Sequence, residues 1–139
     1  MGEFIYLSTQ NNRKMHLEII RSFSILILNM NNPQSIYFFF SNNFINQIIS
    51  NDYQKHDEDF VFYYINFLKS LAMKIDINTI QFFLQKQYNS FPLLKSTLKY
   101  YNYPDPMIKN TVRTVVLTLL KCKQIYKLLY YIDKYFLIH

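Results

Sequence analysis

The amino-acid sequence predicts an all-α chain, about six to seven short helices arranged as an irregular α-solenoid. Three observations point there. Apolar residues make up 50% of the 139 residues, enough to bury a real core in one domain. They recur in runs at the 3.6-residue spacing of a helix rather than alternating. Gly2 is the only glycine, which disfavours hairpin-rich sheets, whose tight turns need left-handed backbone.

The first helix is expected from Lys14 to Asn29, with Leu17, Ile20, Phe23, Ile27 and Met30 facing inward and Leu26 and Leu28 widening the buried face. Asn31-Asn32-Pro33 ends it, because proline disfavours helix at the residue before it. Gln34 to Ser50 reads as two short helices split at Ser41-Asn42-Asn43, with Ile36, Phe39 and Phe40 on one face and Phe44, Ile45, Ile48 and Ile49 on the next.

Asp57-Glu58-Asp59 opens the clearest helix, where acidic side chains suit the positive end of the helix dipole. Phe60, Tyr63, Tyr64, Phe67, Leu68, Leu71, Ala72 and Ile75 keep the period. Val61, Phe62 and Ile65 lie off that stripe, so the helix is predicted to be central and packed on several sides. Asn78 or Thr79 caps a helix through Gln85, with Ile80, Phe83 and Leu84 inward.

Pro92 sits at the first turn of the next helix, where a missing N–H costs nothing, and Leu93, Leu94, Leu98 and Tyr101 form its stripe. Asp105-Pro106 then starts a helix to Cys122, carried by Ile108, Val112, Val115, Val116, Leu119 and Leu120. A last helix is expected over about Gln124 to Leu137. Residues 1–13 are read as a flexible segment ahead of a single domain over 14–137. Short helices joined by short loops, without a fixed repeat, fit degenerate armadillo or HEAT-like packing.

The pattern excludes most chemistry. His16, His56 and His139 have no His or Cys partner at metal-ligand spacing. Cys122 is the only cysteine, lies between Lys121 and Lys123, and has no paired base. The carboxylates of Asp57, Glu58 and Asp59 are accounted for by the helix start. With one glycine, the phosphate-cradling and nucleophile-elbow motifs cannot occur. No enzyme site, metal or cofactor is expected. No stretch approaches the ~18 apolar residues of a membrane span, and the polar run from Met1 to Asn12 lacks the pattern of a secretory signal.

Charge is uneven. Residues 1–69 hold five Lys or Arg against six Asp or Glu, whereas residues 70–139 hold ten against three. The basic half is therefore the place to meet an acidic partner or membrane surface. Lys95, Lys99, Lys109, Lys121 and Lys123 are its candidate contacts. The same half sets Tyr100, Tyr101 and Tyr103 beside Lys99, and Tyr130 and Tyr131 near Lys127 and Lys134. Aromatic and basic residues together suit single-stranded nucleic acid, which is the weaker alternative because such platforms usually lie on sheets.

Ser90-Phe91-Pro92-Leu93-Leu94, then Lys99-Tyr100-Tyr101, then Pro106 to Thr118 resemble the signature of the FPL domain, with Phe91, Pro92 and Leu93 as its name-giving triplet. Ser41 to Ile49, Phe62 to Leu71 and Asn78 to Phe83 resemble the same domain in order and spacing, so the likeness covers about residues 15 to 122. The family is that of C-type lectin domain family 16 member A and endosomal maturation defective (Ema), whose members are several times longer. The resemblance implies an armadillo-like fold in a non-enzymatic scaffold protein of the cytoplasm, peripherally associated with endosomal membranes. It implies work in endosomal trafficking, autophagy and mitophagy through tethering, small-GTPase or ubiquitin-ligase partners. Arg113, inside the matching block, is expected to hold a neighbouring carboxylate or carbonyl, or else to face a partner. Leu128, Leu129 and Ile132 would form an exposed terminal edge suited to homo-oligomerisation.

Overall fold

The computed structural model describes residues 13–51, 58–85 and 90–121. Among them are helices α1 (Arg13–Asn29), α2 (Pro33–Phe40), α3 (Phe44–Ser50), α4 (Glu58–Lys74), α5 (Pro92–Leu98) and α6 (Pro106–Leu120). A 3₁₀ turn, Ile80–Phe83, lies between α4 and α5, and no strand is present among the described residues. One isolated antiparallel bridge joins Gln85 and Ser90, with N–H···O distances of 2.8 and 3.1 Å. The expected last helix, with Lys123, Leu128, Leu129 and Ile132, lies outside the described residues.

α4 is central. α1 and α6 make their main packing against it, α3 packs on α5, and α5 touches both α6 and α4. Phe67, Leu68 and Leu71 of α4 are fully buried. Val61 and Ile65, off the main stripe, are buried too, so α4 does present more than one apolar face to its neighbours. Phe62 is the exception and reaches solvent.

α1 behaves differently from its sequence expectation. Ile20, Phe23 and Ile27 point into the core, but Leu26 is 45% and Leu28 50% exposed. The helix thus has a single buried stripe, widened at its start by His16, which is 1% exposed. Two contacts tie it to α4. The Arg21 guanidinium lies 5.1 Å from the centre of the Tyr63 ring, a cation–π geometry. Lys74 Nζ donates to the Met30 carbonyl at 2.8 Å, holding the chain just past the end of α1.

Pro33 opens a helix as well as closing one. Asn32 is the N-cap of α2, its side chain accepting from Gln34 N at 2.8 Å, and Pro33 occupies the first turn. An aromatic cluster then joins three helices. Phe39 stands edge-on to Phe44 at 5.4 Å and tilted to Phe23 at 6.0 Å, while Phe40 meets Phe83 edge-on at 5.1 Å. Such pairs contribute ~0.5–1.5 kcal/mol beyond the area they bury.

The segment after α4 is shorter than a full helix. Asp76 Oδ1 accepts from Asn78 N at 2.8 Å and Thr79 N at 2.9 Å, and Thr79 Oγ1 accepts from Asp76 N at 2.9 Å. This closed turn starts the 3₁₀ segment, so Asp76 supplies the acceptor expected of Asn78 or Thr79. Ile80, Phe83 and Leu84 are inward as predicted. Past α5, Tyr101 is exposed and Tyr100 packs in its place, 5.9 Å from the Tyr64 ring.

Candidate functional site

The Phe-Pro-Leu triplet is a packing device. Phe91 is the N-cap residue of α5, Pro92 takes the first helical position, and Leu93 is completely buried. Pro92 lacks the N–H that would be unpaired there in any case. Phe91 and Pro92 are also buried. Residues this deep set where α5 begins and against what it packs, and of the three Pro92 alone borders the cleft lined by Lys95 and Lys99.

The outer side of α5 is different. Lys95 and Lys99 are exposed and four residues apart, so they project from one side of the helix. They line a cleft of about 130 Å³ together with Ser50, Gln85, Ser90, Pro92 and Ser96. Three elements build it: the end of α3 brings Ser50, the Gln85–Ser90 bridge brings its two side chains, and α5 brings the rest.

The cleft is anchored from beneath. Ser96 Oγ donates to the Ile49 carbonyl at 3.3 Å, and Tyr64 Oη donates to the same carbonyl at 2.7 Å. The last turn of α3 is thereby fixed to both α4 and α5. Ser96 is thus committed to the scaffold, whereas no hydrogen bond or ion pair among the described residues engages the side chains of Ser50, Gln85, Ser90, Lys95 or Lys99. No carboxylate is among the described lining residues.

The remaining expected contacts lie on α6. Asp105 caps this helix, accepting from Met107 N at 2.8 Å and Ile108 N at 3.4 Å. Ile108, Val112, Val115 and Leu119 are buried against the core. Lys109 is half-buried, Lys121 is exposed, and neither lines the cleft. Arg113 is exposed and makes no ion pair or hydrogen bond among the described residues, so the clamp expected of it is not formed there. Of the five lysines singled out from sequence, Lys95 and Lys99 share a site, Lys109 stands on α6, Lys121 is the C-cap of α6, and Lys123 is outside the described residues.

Among the described residues, Tyr100, Tyr101 and Tyr103 do not form a platform, and Tyr130 and Tyr131 lie outside those residues. Tyr100 and Tyr103 are half-buried, 5.9 Å apart and packed towards Tyr64, leaving Tyr101 as the exposed ring of the three. A second, open hollow of about 460 Å³ lies between α2 and the Asp76 turn, lined by Pro33, Gln34, Tyr37, Asn78 and Gln81. Its described lining carries no charge. No group of three or more potential metal ligands is found among the described residues, and no helix among them is long and apolar enough to cross a membrane.

The FPL family model, described as an uncharacterised conserved protein, matches residues 1–120. The chain belongs to the FPL family. The match starts at residue 1 and so takes in the segment before residue 15 that the sequence resemblance left out. The chain is 34% identical over 118 residues to the protein CLEC16A homolog of Caenorhabditis elegans, covering 85% of this chain and 13% of that protein. It is 37% identical over 105 residues to the CLEC16A homolog of Drosophila melanogaster, 76% of this chain and 10% of that one. With TRANSPARENT TESTA 9 of Arabidopsis thaliana the identity is 30% over 121 residues, 84% of this chain and 14% of the relative. The chain thus spans a small fraction of these FPL proteins. No solved structure matches it.

Proposed function

We propose that this chain is a non-enzymatic interaction module of endosomal membrane trafficking and autophagy, mitophagy included. It would act in the cytoplasm, at the surface of endosomal membranes, by binding components of the tethering or ubiquitin-ligase machinery. The observation that carries this reading is the FPL match over residues 1–120. The surface chemistry agrees with it. The family triplet is spent on packing, and the exposed groups next to it are cations and hydroxyls suited to holding an acidic partner.

An armadillo-like stack is part of the proposal. α1, α4 and α6 end at residues 29, 74 and 120, intervals of 45 and 46 residues, and α4 packs against both others. Armadillo and HEAT repeats run to about 40–47 residues. Such stacks serve as extended binding surfaces.

Proximity labelling in cells, with this chain as bait, tests the reading. Enrichment of endosomal, tethering or ubiquitin-ligase components is the expected result. Enrichment of RNA-binding proteins instead, or nothing above background, overturns it.

A further inference from the structure

We propose that the cleft between α3 and α5 is a binding site for a phosphomonoester, carried by a small polyol phosphate or by the inositol headgroup of a lipid. The inference rests on the reading of this half as a surface for acidic partners, and adds to it the ligand.

Two cations crowd the C-terminal end of α5. Lys95 sits in the last turn of α5 and Lys99 is its C-cap; the helix dipole suits cations there, but the two ammonium groups still repel each other across one turn. No carboxylate among the described lining residues offsets them. An anion seated between them would, since each ammonium then gains a charge-assisted hydrogen bond.

The rest of the lining fits the same ligand. Ser50, Ser90 and Gln85 bring two hydroxyls and a carboxamide to the cleft, all uncommitted among the described residues. Several separate donors around one small space suit an acceptor with three terminal oxygens. A phosphomonoester at neutral pH also carries a charge of about −1.5 to −2, close to the two ammonium groups facing it. Lysines meet phosphate as rotatable point charges.

The size and polarity of the cleft separate a headgroup from a peptide. At about 130 Å³ it has room for a phosphate group. Pro92 is the one apolar residue in its described lining. Phosphopeptide readers hold their phosphate with clusters of arginine, and the described lining has none.

The test is titration of the isotope-labelled chain, followed by NMR, with inorganic phosphate, inositol monophosphate and a phosphoserine peptide. Sedimentation with phosphatidylcholine vesicles is run in parallel, containing either a phosphatidylinositol monophosphate or phosphatidylserine at matched charge. The expected result is saturable binding of inositol monophosphate, with amide shifts at Ser90, Lys95 and Lys99. Lys95→Gln with Lys99→Gln should weaken it by roughly tenfold or more, while Lys109→Gln with Lys121→Gln leaves it nearly unchanged. All four lysines are at least partly exposed, and a melting curve of each variant verifies folding. Sedimentation with the phosphoinositide vesicles and not with phosphatidylserine assigns the ligand to the membrane; binding in solution alone assigns it to a free phosphate. No saturable binding, equal loss in both double variants, or binding of the phosphopeptide alone overturns the proposal. Those outcomes leave the proximity-labelling result untouched. A failed labelling experiment with phosphate binding intact would sink the trafficking reading and spare the site.

Discussion

Asp105 and Arg113 stand eight residues apart around one helix and show how differently two charged side chains can matter. The Asp105 carboxylate accepts from two backbone N–H groups that α6 leaves without an intrahelical partner. Removing such a cap costs ~0.5–2 kcal/mol. Asp105→Ala should therefore lower the unfolding free energy read from urea denaturation by an amount in that range, and Asp105→Asn, which keeps an acceptor, should recover most of it. Equal stability of Asp105→Ala and the parent chain would show that α6 is held by its buried face alone. Arg113 is exposed and unengaged among the described residues. Arg113→Ala should leave the unfolding free energy from urea denaturation within ~0.5 kcal/mol of the parent; a loss of several times that would mean that a partner outside the described residues holds it.

The elements were legible in sequence wherever a local signal decided them. Asp105-Pro106 and Pro92 mark helix starts through chemistry confined to three or four residues, and both helices begin there. The buried positions of α4 and α6 follow the period because each packs against neighbours along its length. Legibility failed where a neighbour decides. Leu26 and Leu28 are as apolar as Ile27, and only the absence of a described element over them leaves them exposed. The Asp76 turn replaces a helix because two side chains satisfy the local N–H groups in a closed loop, and capping residues alone do not say how far a helix will run. The Lys95–Lys99 cleft was half visible: the lysines share a face by spacing, but Ser50 and Gln85 reach it only through the packing of α3 on α5 and an isolated bridge. The same element carries a sharp contrast for experiment. Leu93 has no exposed surface, and a buried Leu→Ala substitution costs ~2–5 kcal/mol. Leu93→Ala should lower stability by that much, and calorimetry or urea unfolding reads it directly. A cost under 1 kcal/mol would mean that the family triplet is not the packing device its burial makes it.

At the scale of the whole molecule, the question is whether the helices form one cooperative block or a stack. α1 and α6 each make their main packing against α4, with two elements between successive members of that series. In a stack, stability is close to a sum of unit and neighbour-interface contributions, so damage at one end decays along the chain. In a single block, a lesion anywhere lowers every protection factor together. Ile20 is the site to probe. It is 1% exposed, on the buried stripe of α1, and Ile→Ala in a core costs ~2–5 kcal/mol. Native proteins hold only ~5–15 kcal/mol in total, so the lesion is large enough to see and small enough to leave the chain folded. Ile20→Ala is expected to reduce amide hydrogen-exchange protection strongly in α1, less in α4 and least in α6. An equal fall in all three helices would mean one cooperative unit, and the 45- and 46-residue spacing of the ends of α1, α4 and α6 would then lose its force as support for armadillo-like stacking.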